Sequence, residues 1–150
     1  MNEEKVRVGR DRYLAQNGLG IESYTAKKFP VYFFRWAVWL PNPGFLPTHD
    51  LHHVLTGYGT GLVGEAKISA YELHGGCGSF MIFVLCVGAI VFGMLVAPKR
   101  IWSAWQESRG ARNLYRSSVP YESLLEMNVS DLREQLGLPR SGYESTWSQP

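Results

Sequence analysis

From Ser79 to Ala97 the chain carries no charged residue, and this run constrains the fold more than any other feature. A stretch so uniformly apolar forms a helix that something other than water must cover. Three readings follow. About 18 to 20 apolar residues suffice to cross a bilayer, so residues 79–97 could form a single transmembrane helix, with Lys99 and Arg100 marking its cytoplasmic end. They could instead be a buried central helix. The third reading, favoured here, is a helix that lines a lipid tunnel or dips into one leaflet from the cytoplasmic side, with the protein peripheral to the membrane. In it Phe80, Phe83, Val84, Val87 and Val91 contact lipid. Gly75, Gly76, Gly78, Gly88 and Gly93 let other backbones or a flexible chain approach closely.

The flanks are solvated, and charged residues concentrate toward both ends. The 150 residues carry a formal charge of only +2, which gives no reason to expect nucleic acid. Cys77 and Cys86 lack a CxxC-type metal spacing and read as reduced, buried thiols. Met1 to Gln16 mixes acidic and basic residues, unlike a secretory signal or a mitochondrial presequence. Asp11 to Gln16 suggests a short helix capped by Asn17-Gly18. The aromatic run FPVYFFRWAVWLP at 29–41 has no clean period, and Pro41, Pro43 and Gly44 close it with a turn. A helix capped by Thr48 and reaching Thr56 follows, and then Gly57, Gly59 and Gly61. A second helix covers Leu62 to Leu73. Beyond the apolar run come a basic, partly helical stretch from Lys99 to Arg116 and two short amphipathic pieces, Tyr121 to Met127 and Asp131 to Leu136, the latter capped by Ser130. The organisation expected is an N-terminal extension over 1–45, a helical metal-binding core over 46–139 and a loose polar tail over 140–150. The expected fold class is mainly α: a single helical domain with a metal site between two antiparallel helices and one long apolar helix.

The pattern HDLHH at 49–53 carries the chemistry. On a helix, positions i and i+4 share a face, so His49 and His53 can converge on one ion. Asp50 lies about 100° round from His49 and can reach the same ion or accept a hydrogen bond from a ligating imidazole. Glu65 follows early in the next helix, and the glycine-rich turn between lets the chain fold back. Two imidazoles with one or two carboxylates suit zinc, and also other divalent metals such as iron or manganese. Three other readings stand beside this one. The histidines could be polar residues at a helix start. HDxxH resembles the HExxH of metallopeptidases, with a shorter aspartate where the glutamate base would be, which gives a metallohydrolase reading. HxxHH matches a histidine box of membrane di-iron oxygenases, but those need several boxes and only His74 remains.

The order His49-Asp50-x-x-His53, eleven residues, then Glu65 resembles the motif of the ubiquinone (coenzyme Q) biosynthesis protein 4 family. LTGYGTGLVGEAKISAYEL looks like that family's segment after HDxxH, and the apolar helix is similar in position. NLYRSSVPYESLLEMNVSDLREQLGLP, from Asn113, is similar to its C-terminal signature. The similarity runs over roughly residues 41 to 139 and suggests a short, bacterial-type member. The residues before His49 do not match the helical region that members usually carry there. The resemblance implies a zinc-type site of His49, Asp50, His53 and Glu65 in a helical fold that handles a polyprenylated aromatic ring at a membrane face. It implies removal of the ring carboxylate of a prenylated hydroxybenzoate, with hydroxylation at that carbon. It also implies organisation of other quinone-biosynthesis enzymes. A non-catalytic prenyl-lipid-binding or scaffold protein is the alternative from another class.

Glu72, two turns beyond Glu65 on the same face, could support the metal ligands, although a surface glutamate paired with Lys67 is the commoner arrangement. His52 is expected to point away from the histidine pair. Arg109, Arg112 and Arg116 are spaced to share one helix face and could meet anionic headgroups. Trp36, Trp39, Trp102 and Trp105 suit a membrane–water boundary, with Trp36 leaning toward ordinary core. Tyr58 and Tyr71 could help position a ring. An exposed apolar helix would favour a membrane surface or a homodimer.

Overall fold

The computed structural model describes residues 4–33, 36–42 and 44–144. Helix α1 (Val6–Gln16) ends at Asn17, and Gly18 takes positive φ. A short 3-10 helix, Ile21–Thr25, leads to strands β1 (Lys28–Phe33) and β2 (Trp36–Pro41). Helices α2 (Leu46–Thr56), α3 (Leu62–Gly75), α4 (Phe80–Val96) and α5 (Pro98–Glu107) follow, and then the short α6 (Tyr121–Leu125) and α7 (Val129–Gln135). The fold is mainly helical.

The main core joins α1, α2, α6 and α7. Val6, Tyr13 and Leu14 pack with Leu51, Val54 and Leu55, and with Leu124, Leu125, Val129 and Leu132. Tyr71 of α3 enters the same cluster. A smaller cluster of Tyr58, Ile68 and Ala104 sits beneath α3 and α5. Gly57 ends α2 at φ 81°, where only glycine is at ease. A side chain there would also run into the backbone carbonyl of Glu144. Residues 143 and 144 close over this point: the amides of Tyr143 and Glu144 both donate to the Thr56 carbonyl, and the Tyr143 ring stacks on Tyr58.

The expected frame, an antiparallel helix pair around the metal site with one long apolar helix, is corrected. The extensive partners of α3 are α4 and α5, whereas α2 packs mainly on α1. Helices α2 and α3 meet only locally. The apolar helix has 17 residues, about 26 Å at 1.5 Å per residue. Among the described residues no helix is long and apolar enough to cross a membrane, which removes the transmembrane reading of 79–97. The run is shortened at both ends: Ser79 caps α4 by accepting the Ile82 amide, and Pro98 opens a new helix. Its apolarity on every side has two causes. Ile82, Cys86 and Gly93 are buried, while Phe80, Phe83, Val84, Val87 and Val91, with Met94 and Leu95, are exposed.

Other local expectations also shift. The aromatic run showed no period because it forms a two-stranded antiparallel hairpin, with register from Lys28↔Pro41 to Phe33↔Trp36 and little of β2 buried. Trp36 is no core residue, at 78 % exposed. Neither Thr48 nor Ser130 caps its helix: the cap positions are Phe45 and Asn128, without side-chain caps. Helix α5 ends at Glu107, so Arg109, Arg112 and Arg116 do not share a helix face. Pro43 and residues 145–150 of the tail lie outside the described residues.

Candidate metal centre

The i, i+4 spacing on α2 does bring His49 and His53 together. Their Nε2 atoms are 3.3 Å apart. Glu65, in the first turn of α3, faces both, with Oε1 3.3 Å from His53 Nε2 and Oε2 3.4 Å from His49 Nε2. Ligands held about 2.0–2.1 Å from a tetrahedral ion stand roughly 3.3–3.4 Å apart. These three residues could therefore hold a metal ion.

The partners of the other ring nitrogens fix what this triangle offers. His53 Nδ1 lies 2.9 Å from the Tyr58 carbonyl. A carbonyl only accepts, so Nδ1 carries the proton and Nε2 turns a lone pair inward. His49 Nδ1 lies 2.8 Å from Glu72 Oε1 and donates to it. In the neutral ring, His49 Nε2 is then also a lone pair. Two nitrogen lone pairs and a carboxylate face one another and share the need for a cation. Burial works against a charge on His49, but Glu72 and Glu65 outweigh burial and raise its pKa well above the ordinary value. Burial likewise pushes the Glu65 carboxyl up, yet His53 and His49 hold it at about 2. A proton and a metal ion thus compete for one position.

Glu72 is fully buried rather than on the surface, and Lys67 pairs with Glu144 instead. Its Oε1 accepts from His49 Nδ1, His52 Nδ1 and the Tyr115 hydroxyl, each at 2.8 Å, and the Cys86 thiol approaches Oε2 at 3.4 Å. Burial alone would raise its pKa, but the two histidines bring it well below the carboxylate range. His52 is not one of the convergent donors, but it shares Glu72 Oε1 with His49. Its Nε2 accepts the Leu114 amide at 3.0 Å, so Nδ1 is the donor to Glu72, and burial lowers its pKa. A carboxylate behind a metal-ligating imidazole orients the ring and raises its basicity.

Asp50 turns elsewhere. Its Oδ1 accepts from the Tyr13 hydroxyl at 3.2 Å, and burial raises its pKa. The Tyr13 ring in turn stacks on His53, with centroids 5.4 Å apart. The convergent donors are His49, His53 and Glu65, without Asp50. Tyr58 and Tyr71 are fully buried, and their hydroxyls bond Glu107 and the Arg112 carbonyl. The supporting roles of His52, Tyr115 and the Tyr58 carbonyl were not foreseen. The one signal for any of them was that Tyr115 lies within the C-terminal signature that begins at Asn113.

Residues 46–141, from α2 to just past α7, match the family model described as coenzyme Q (ubiquinone) biosynthesis protein Coq4. No curated protein and no solved structure matches the chain. The matched segment contains all three convergent donors and the Glu72 network behind them. It covers well over half of the chain, which therefore belongs to the coenzyme Q (ubiquinone) biosynthesis protein Coq4 family, with the role in ubiquinone biosynthesis that membership implies.

Proposed function

We propose that this protein binds one divalent metal ion, zinc by its ligand set, through His49, His53 and Glu65. Beside that ion it removes the ring carboxylate of a prenylated hydroxybenzoate at a membrane surface. The observation that carries the reading is the convergence of His49 Nε2, His53 Nε2 and the Glu65 carboxylate within 3.3–3.4 Å of one another, each imidazole backed at Nδ1 by an acceptor. His, His and a carboxylate leave positions on the ion open for substrate oxygens. A bound ion would supply Lewis acidity, holding the ring carboxylate or phenolate and stabilising charge that develops on the ring.

The protein's own residues do the rest. Glu72 and the Tyr58 carbonyl keep the imidazoles in the ligating tautomer. Asp50, adjacent to His49, holds the Tyr13 ring against His53. The exposed apolar face of α4, from Phe80 to Leu95, suits a prenyl tail or the membrane surface from which one comes. The engagement of Asp50 with Tyr13 speaks against the hydrolase reading, because it occupies the carboxylate that would act as base.

Metal content by native mass spectrometry tests the first half. One equivalent is expected in the wild type and none in His53→Ala. Freshly purified, folded wild type without metal would refute the site. Glu65→Gln separates enzyme from scaffold. In an enzyme it abolishes release of carbon dioxide from the prenylated hydroxybenzoate while the variant still co-purifies with isoprenoid. In a scaffold its main effect is on folding stability, because metal binding is linked to folding.

A further inference from the structure

We infer that the β1–β2 hairpin is a bilayer-docking element that seats the protein on the headgroup region of a membrane, whether or not the centre above binds metal. The hairpin lies outside residues 46–141 and is read from this chain alone. Successive strand side chains point to opposite faces. Along β2, Trp36 and Val38 share one face and Trp39 occupies the other, and these are 78 %, 52 % and 60 % exposed. A partner protein covers one face of a hairpin, whereas lipid surrounds both. Large side chains left open on both sides therefore point to a bilayer.

The strand edges argue the same way. Pro30 in β1 has no amide hydrogen and is tolerated where that position faces outward, and Pro41 ends β2. Edges blunted by proline are poor templates for a strand added by another protein. Indole rings are favoured at the membrane–water boundary, and the exposed Lys27 and Lys28 lie where the hairpin joins the body, suited to phosphate oxygens. The unpaired backbone groups along each edge forbid deep entry, since each is costly in hydrocarbon. The seat is therefore shallow.

Aromatic rings connect the hairpin to the candidate metal centre. The Phe29 ring of β1 meets Phe45 edge-on at 5.3 Å, and Phe45 meets His49 edge-on at 6.1 Å. A lipid ring leaving the headgroup layer would arrive beside these aromatics.

The test uses the full chain with phosphatidylcholine vesicles, with and without phosphatidylglycerol, read by co-sedimentation and tryptophan emission. Wild type should bind, and its emission should shift to the blue. Lipids brominated near the headgroup should quench it more than lipids brominated near the chain end. W36S/W39S should lose roughly tenfold or more in partitioning, from the apolar area that two indoles remove from water. Its circular dichroism and metal content should match wild type, which separates a docking defect from loss of the metal centre. W36F/W39F should retain most of the binding. Failure of wild type to bind vesicles, or equal binding by W36S/W39S, overturns the proposal. So does concentration-dependent dimerisation in light scattering that W36S/W39S abolishes, because the occupant is then a second copy.

Discussion

At the scale of single residues, the centre depends on groups that never touch an ion. Glu72 gathers three hydrogen bonds on one oxygen and orients His49. Replacing it by glutamine keeps the shape and removes the charge, which weakens the basicity that Glu72 lends to His49. Loss of such an outer partner costs about 10- to 100-fold in metal affinity. Glu72→Gln should show a drop of that order in competition with a chromophoric chelator. Tyr115→Phe, which removes one donor and keeps the carboxylate, should cost much less affinity and about 1 kcal/mol of stability. Equal affinity for Glu72→Gln and wild type would mean that the carboxylate has only a packing role. The convergence of His49 and His53 was legible in the sequence because they are related by one helical turn, a local rule. Glu65 was singled out through an expected antiparallel helix pair; it does meet both histidines, although α2 and α3 do not pack as such a pair. The partners of Glu72 were not, because His52, Cys86 and Tyr115 reach it from three segments that only the tertiary fold brings together. Asp50 illustrates the opposite limit. Its position on the helix allowed two roles, ligand or acceptor from a ligating imidazole, and it takes neither: it accepts from Tyr13, a residue of α1 that the spacing could not see.

At the scale of elements, α4 shows what hydrophobicity leaves undecided. An apolar run of this length carries no periodicity to say which face is covered. Packing decides it, and the two glycines of α4 report the result. A Cβ on Gly93 would lie 2.4 Å from the Ala66 Cβ and close to Ile101, so α3, α4 and α5 meet there without room for a methyl group. Gly93→Ala should destabilise the fold by about 1–3 kcal/mol through overpacking. Around Gly88 there is open space. Gly88→Ala should instead stabilise by about 0.5–1 kcal/mol, the ordinary gain of alanine over glycine inside a helix. Urea unfolding of the two variants checks the pair of signs. A neutral Gly93→Ala would mean that the contact of α4 with α3 is looser than described. The hairpin was illegible for a related reason: β2 buries so little that no alternation of apolar and polar residues was required of it.

At the scale of the whole molecule, the centre links two packing regions. His49 and His53 stand on α2, which belongs to the core with α1, α6 and α7, while Glu65 stands on α3, which packs mainly on α4 and α5. Tyr71 ties the regions together through the core cluster, and Asn113 does so by donating to the carbonyls of Glu72 and Gly76. Between α2 and α3 themselves, Glu72 accepts from His49 and His52, and the His52 ring meets Tyr71 edge-on. An ion shared by the two helices would therefore act as a staple, and its removal should be felt as loss of global stability. Free metal at a hundredfold excess over its dissociation constant contributes about 2.7 kcal/mol. Chelation should lower Tm, and the shift should depend on metal concentration. His53→Ala should melt at one temperature with or without chelator. Hydrogen exchange should locate the loss, with protection falling most in α2 and the first turns of α3, while the α4–α5 contact keeps its own. A metal-loaded protein whose Tm is indifferent to chelation would place the ion on a surface that does not join the two regions, and the arrangement of His49, His53 and Glu65 across α2 and α3 could not then be its site.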